Sequence, residues 1–487
     1  MTDAGHTDTV SGDSHTGETG VHDVVGVGLG PFNLGLAALL DDLAETVDAV
    51  FLERDAEFAW HEGMLLEGTT LEVPFLADLV TLADPTNPHS YLNYLRETDR
   101  LYEFYFYETF QTPRREYNDY LQWVTERLDS CRFNREVVEV RWVDGATDGA
   151  PGTDAHVDAD SDGHYVVTAR HPETGERSTY RGRNLALGIG SRPQIPEPLQ
   201  GHPDEDVFHT ARYRHNRERV LDASSVTVVG SGQSAAEVFQ ALLKRQPEAD
   251  YRLDWLTRSD GFFPMEYSKL GLQHFTPEYE QYVYDLPQSV RDDLVPNQDL
   301  LYKGVDPGTS AEIYDLLYRR SVGDREPDVG LFAMTEVRDI EAVGDGYALD
   351  CHQWQADESF VHESEVVVLG TGYERPVPDF LDPLADAISW DDRGRFEVTA
   401  DHRLVVDHPG DVFLQNAELH THGVGVPDLG LGCYRNTKFV NRLVGREAYP
   451  EDTDTVYQDF SVDRFVERAP GASRHGSETT PTPTQDD

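Results

Sequence analysis

Short apolar runs recur along this chain, and four of them end in a glycine turn. Val24-Val25 leads into Gly26-Val27-Gly28-Leu29-Gly30-Pro31, and Val226-Thr227-Val228-Val229 into Gly230-Ser231-Gly232-Gln233-Ser234-Ala235. Leu185-Ala186-Leu187 meets Gly188-Ile189-Gly190-Ser191, and Val366-Val367-Val368-Leu369 meets Gly370-Thr371-Gly372-Tyr373. The runs are continuous rather than alternating, as in strands covered on both faces of a parallel sheet. After the first two turns the pattern becomes helical, over 34–43 and 235–243. Strand, glycine turn and helix in that order predict βα units and an α/β fold.

Those two turns are dinucleotide fingerprints, in which glycines let the backbone approach a pyrophosphate at a helix N-terminus. Each lacks the third glycine, with Pro31 and Ala235 in its place. Glu53 closes the strand-like Ala49-Val50-Phe51-Leu52, and it stands as far beyond Gly26 as Thr257 stands beyond Gly230. Arg258 and Ser259 follow Thr257. A carboxylate at that place suits ribose hydroxyls, as FAD or NAD requires; a neutral residue with an arginine suits the 2′-phosphate of NADP. The expected FAD contacts are therefore Gly26, Gly28, Gly30, Pro31 and Glu53. The expected NADPH contacts are Gly230, Gly232, Gln233, Ser234, Arg258 and Ser259. One chain with both units reads as a flavin-dependent oxidoreductase. The expected architecture is α/β: a discontinuous Rossmann-like FAD domain (21–200 and 330–445) and an inserted Rossmann-like NADPH domain (201–329). Leu185 to Ser191 reads as the strand where the chain crosses between them.

Charge narrows the partners. Formal net charge is −50, from 90 acidic and 40 basic residues. Lysine appears only at 244, 269, 303 and 438, and the acids are spread along the whole chain. Such a surface resembles that of a halophilic protein in a salt-loaded cytoplasm, and it argues against nucleic acid or an anionic membrane as partner. No apolar run reaches transmembrane length. The three cysteines, Cys131, Cys351 and Cys433, form no CxxC, which suits a reducing cytoplasm and removes a redox dithiol. Residues 1–20 and the end of the extension 446–487 read as disordered tails, and 145–163 as a solvated hairpin loop. A homo-oligomer is compatible with all of this.

From Phe58 the chain reads Phe-Ala-Trp-His-Glu-Gly-Met-Leu-Leu-Glu-Gly-Thr-Thr-Leu-Glu-Val-Pro-Phe-Leu-Ala-Asp-Leu-Val-Thr, followed by Asp84-Pro85-Thr86-Asn87-Pro88 and Tyr91-Leu92-Asn93-Tyr94-Leu95. This segment strongly resembles the lysine and ornithine N-monooxygenases of siderophore biosynthesis. Phe263-Pro264, Pro277-Glu278-Tyr279, Gln415-Asn416-Ala417 and Thr421-His422-Gly423 match as well, so the resemblance covers about 22–445. It implies that NADPH reduces FAD, that O2 adds to the reduced flavin, and that one oxygen passes to a neutral amine nitrogen. The cofactor carries the hard step, so neither a catalytic triad nor a metal cluster is expected. Trp60 and His61 would lie along the flavin, Arg114 near the FAD phosphates, and Gly372 in an ATGY-like segment where Gly370 replaces the Ala.

Two departures from the family pattern bear on the substrate. The family segment usually reads Gln-x-x-Phe-Leu-Lys-Asp-Leu, with the Lys assisting the amino-acid carboxylate. Here Glu72 stands for the Gln and Ala77 for the Lys. A carboxylate buried without a cation costs several kcal/mol, so the substrate should lack one. The Phe75-Leu76-Ala77-Asp78-Leu79 form, with Met265 to Leu270, resembles the diamine branch acting on cadaverine, putrescine or 1,3-diaminopropane. Glu72 and Glu266 are the carboxylates available for the distal ammonium. The alternatives are a lysine or ornithine monooxygenase, with Arg258, Lys269 or Arg435 meeting the carboxylate, and an NADPH oxidase or flavin reductase that oxygenates nothing. The stretch 261–306 is expected over the amine site.

Overall fold

The computed structural model describes residues 16–17, 20–145, 163–249, 251–323, 327–451, 455–462 and 465. The expected tails and the 145–163 loop fall almost wholly outside these. In chain order the elements used below are β1 (His22–Val27), α1 (Pro31–Asp41), β2 (Ala49–Leu52), β3 (Thr70–Pro74), α2 (Arg114–Thr125), β4 (Cys131–Arg132), β5 (Glu136–Val143), β6 (His164–Arg170) and β7 (Arg177–Leu187). There follow β8 (Val207–His209), β9 (Ser225–Val229), α3 (Gln233–Ala249), β10 (Arg252–Leu256), α4 (Pro277–Tyr284), α5 (Pro307–Ser321) and β11 (Val329–Phe332). The last are β12 (Thr335–Val343), β13 (Gly346–Gln353), β14 (Glu358–Ser364), β15 (Val366–Leu369), β16 (Val412–Leu414) and α6 (Leu429–Val444).

The first sheet runs β4-β2-β1-β7-β6-β5, with β16 also on β7. Strands β4, β2, β1, β7 and β16 are parallel, whereas β5, β6 and β7 form an antiparallel meander. Alternate residues of the parallel strands serve two cores. Val24, Phe51, Ala186 and Phe413 pack with Leu34 and Leu36 of α1, while Val25, Val50, Leu185 and Val412 pack with Tyr165 and Val167 of the meander. Burial on both faces is why these strands read as unbroken apolar runs.

The second sheet is wholly parallel, ordered β8-β15-β9-β10-β11. Helix α3 covers one face through Val238 and Leu242, and the three-stranded sheet β12-β13-β14 covers the other through Val337, Leu349 and Cys351. This revises the sequence boundary at 329. Val366 to Leu369 pairs with both β8 and β9, so residues 330–369 build the second domain rather than returning to the first. A run of Val and Leu fits the centre of either parallel sheet, and local pattern carries no information about which. The chain passes between domains where Arg192-Pro193 pairs antiparallel with Tyr373-Glu374.

Within 261–306, α4 is tied to the first domain by a buried charge cluster. His402 lies between Glu280 of α4 and Glu418, 3.0 Å from each, and Arg435 Nε is 3.3 Å from Glu418. His422, isolated in the sequence, stacks on His402 with centroids 3.9 Å apart.

Candidate active site

Both expected cradles are built by the same device. Gly28 adopts φ +81°, and a β-carbon there would lie 2.5 Å from the carbonyl oxygen of Gly188 at the end of neighbouring β7. Gly230 adopts φ +128°, and a β-carbon there would strike the carbonyl of Gly370 at the end of neighbouring β15. Glycine is required at each turn for conformation and for space. Gly30 caps α1, and Pro31 occupies its first turn, where a missing N–H costs nothing. Glu53 accepts a 2.8 Å hydrogen bond from the Leu29 amide, which sets its carboxylate beside the first turn. Asn33, which sequence reasoning passed over, is buried and donates to the carbonyls of Gly28 and Ala186 at 2.8 and 3.0 Å, fixing the loop.

The missing third glycine of the second unit has a structural answer. A β-carbon on Gly370 would lie 2.7 Å from Cβ of Ala235 and 3.2 Å from the Val229 carbonyl oxygen. The methyl that Ala235 adds at the start of α3 therefore fills the space an alanine at 370 would need. We expect Gly370→Ala to destabilise the second domain by about 1–3 kcal/mol through overpacking. Adding Ala235→Gly should restore most of it, read by thermal unfolding.

The remaining NADPH-type residues converge on the same rim. Ser231 and Ser259 hydroxyls are 2.9 Å apart, Ser234 Oγ accepts from Thr210, and Arg258 is exposed. The open space at Gly232, where a β-carbon would meet only the Lys303 carbonyl at 3.7 Å, leaves room for a phosphate to approach. Gln233 has turned to the domain junction. Its amide nitrogen donates to Glu72, Glu237 and Thr309 at 3.3, 3.1 and 3.2 Å, and its oxygen accepts from the Asp306 amide.

The other expected residues stand as follows. Arg114 places both fork nitrogens on Glu237 of α3, each at 2.7 Å, so a carboxylate already meets the guanidinium that resemblance assigns to FAD phosphates. Gly372, φ +91°, follows a strand of the second sheet; its carbonyl accepts from Gln194 and faces His209. Glu266 and Lys269 point to solvent. Between them Tyr267 turns inward instead, donating its hydroxyl to the Glu72 carbonyl. Trp60 packs edge-on to His61 and tilted on Tyr117. His61 holds a left-handed backbone. The residue is exposed, yet desolvation by the surrounding protein and then the Arg114 charge lower its pKa to about 4.

Glu72 on β3 thus gathers a group the sequence did not reveal: Asp306, which caps α5, together with Glu237, Arg114 and Gln233. Burial, then the Asp306 and Glu237 carboxylates, push Glu72 up to about 8 against the pull of Arg114. Folding therefore favours the protonated form. The associated stability is fully present below the ordinary value near 4.5 and is lost as pH rises through about 8. Glu72→Gln should flatten the fall of melting temperature between pH 6 and 9. Ala77 is buried, its methyl close to Gly430 on α6, and brings no charge to this group. Among the described residues no group of His, Cys, Asp and Glu is placed to hold a metal ion, and no helix is long and apolar enough to cross a membrane.

Residues 20–375 match the model of the L-lysine 6-monooxygenase/L-ornithine 5-monooxygenase family. The chain belongs to that family. A rhizobactin siderophore biosynthesis protein of Rhizobium meliloti is 43% identical to it over 452 residues, covering 90% of this chain and 95% of that protein. A putrescine N-hydroxylase of Shewanella oneidensis is 38% identical over 469 residues, covering 96% and 90%. The FAD-bound crystal structure of a cadaverine monooxygenase from Erwinia amylovora, of the desferrioxamine pathway, is similar with a TM-score of 0.84 at 38% identity, covering 91% and 99%. The expected monooxygenase fold, with its two nucleotide-binding domains, is thereby shown for this member of the family.

Proposed function

We propose that this chain N-hydroxylates one primary amine of a short diamine with FAD, NADPH and O2, as a step in hydroxamate siderophore assembly. The observation that carries the reading is the charge at the domain junction. Ala77 is neutral where amino-acid hydroxylases place a lysine, and Glu72 stands with Asp306 and Glu237 against a single arginine. That excess of acid suits an ammonium and disfavours an α-carboxylate. Bound FAD, once reduced by NADPH, supplies the activated oxygen. The chain's own work is to place the amine and to keep water out. Glu72 keeps its proton near neutral pH, and an arriving ammonium would favour the carboxylate and release that proton. Tyr267 and the capped start of α5 hold Glu72 in place from the 261–306 stretch. Relatives named for putrescine and cadaverine support this class of substrate. The test is hydroxylamine formed per NADPH consumed across a panel of diamines and amino acids.

We also read the acidic surface as a fit to a salt-loaded cytoplasm. With 90 acidic against 40 basic residues, self-repulsion opposes the compact state until salt screens it. The Debye length falls from about 10 Å at 0.1 M to about 3 Å at 1 M. Melting temperature and activity should therefore rise into molar KCl; a maximum in dilute buffer would contradict the reading.

A further inference from the structure

We propose that Trp354 is the platform on which the adenine ring of NADPH stacks. This rests on the reading that the second unit takes NADPH with Arg258 at its 2′-phosphate end. Trp354 sits in the turn after β13, and that turn lies at the same edge of the second sheet as the Gly230 loop. Met334, at φ +56°, leaves β11 there and donates its amide to the Ser259 carbonyl at 2.8 Å. Thr335 donates to Thr257 at 2.7 Å, and the Trp354 amide donates to the Met334 carbonyl at 3.1 Å. The indole Nε1–H of Trp354 closes the set, donating to the Arg258 carbonyl at 2.8 Å. The rim that begins at Ser231 thus continues through Ser259 and Arg258 to one indole.

That indole is 43% exposed. A large aromatic ring gains nothing from water, and a turn offers it no core to fill. Its polar edge is spent on the Arg258 carbonyl, which fixes the ring while the side chain stays exposed. A rigid indole held on the backbone of an exposed arginine, at the adenosine end of a dinucleotide cradle, is the chemistry that holds a purine. Because NADPH and NADH share adenine, the ring would serve both, whereas Arg258 would separate them.

The experiment measures dissociation constants for NADPH, NADH and reduced nicotinamide mononucleotide, which lacks adenine, on the FAD-loaded enzyme. Trp354→Ala should weaken NADPH and NADH alike, by about tenfold, within the range for stacking a base on an aromatic ring. Reduced nicotinamide mononucleotide should bind it as it binds the parent. Trp354→Phe keeps a ring but not the N–H, and should recover most of the loss. Unchanged NADPH affinity in Trp354→Ala would overturn the proposal. So would Trp354→Phe behaving like Trp354→Ala, since the indole would then only brace the Arg258 loop. FAD content and melting temperature identify a variant that has merely misfolded, and Trp354→Phe keeps the question open to test in that event. Failure of the underlying reading looks different: the parent would not discriminate NADPH from NADH, and Arg258→Ala would change neither.

Discussion

Putrescine, cadaverine or 1,3-diaminopropane should give coupled N-hydroxylation with a kcat/KM at least about a hundredfold above that of lysine or ornithine. The expectation follows from what an α-carboxylate would meet. Ala77 leaves it without a cation, and the Glu72, Asp306 and Glu237 group would repel it. A buried charge without a partner costs several kcal/mol, and about 2.7 kcal/mol already corresponds to a hundredfold. The amine that reacts must be neutral, and a free alkylamine titrates near 10. Glu72 must ionise to hold the other end, and before an ammonium arrives its burial and the neighbouring carboxylates push it up to about 8. Coupled turnover should therefore climb from pH 6.5 toward 9. Replacing Glu72 by Gln should weaken diamine binding and reduce that climb. Ala77→Lys with Glu72→Gln should lower diamine use further and admit some amino acid. Lysine or ornithine giving the highest coupled kcat/KM in the parent enzyme would end the diamine reading.

What could be read from the sequence was what local pattern determines. Gly28 and Gly230 were legible because a turn that needs positive φ leaves a glycine after an apolar run. Glu53 was legible because a parallel strand puts its last residue beside the neighbouring turn. The assignment of 330–369 was not, since Val366 to Leu369 would satisfy either sheet and only its pairing with β9 decides. Nor was the choice among Glu266, Tyr267 and Lys269. In an irregular segment no period says which of three successive side chains turns inward. Asp306 and Glu237 were hidden by the same abundance of acid that made the chain's charge so easy to read. Among 90 carboxylates, the two that matter to Glu72 are distinguished only by position. Ala235 and Gly370 each depart from the usual residue, and the departures compensate between the start of α3 and the turn after β15.

Arg114 carries the sharpest choice between resemblance and geometry, and removing it should have the largest effect on stability. Resemblance sends it to the FAD phosphates, whereas the structure pairs it with Glu237, which is 3% exposed. If the ion pair is its main work, Arg114→Met strands a buried carboxylate whose remaining contact is Gln233 at 3.1 Å. Breaking a buried pair from one side costs about 3–5 kcal/mol. Melting temperature should fall by several degrees, more than for Glu237→Gln, because the half-freed guanidinium lies nearer water, at 14% exposure against 3%. The double variant Arg114→Met with Glu237→Gln should recover at least half of the loss, since no charge is then left buried alone. FAD affinity should change little across the cycle. A phosphate ligand would behave in the opposite way: FAD would dissociate more readily from Arg114→Met, and Glu237→Gln would not repair it. The pair also joins α2 of the first domain to α3 of the second. Its loss should therefore loosen the junction that Gln233 and Glu72 share, and lower the coupling of NADPH oxidation to hydroxylation even where folding survives.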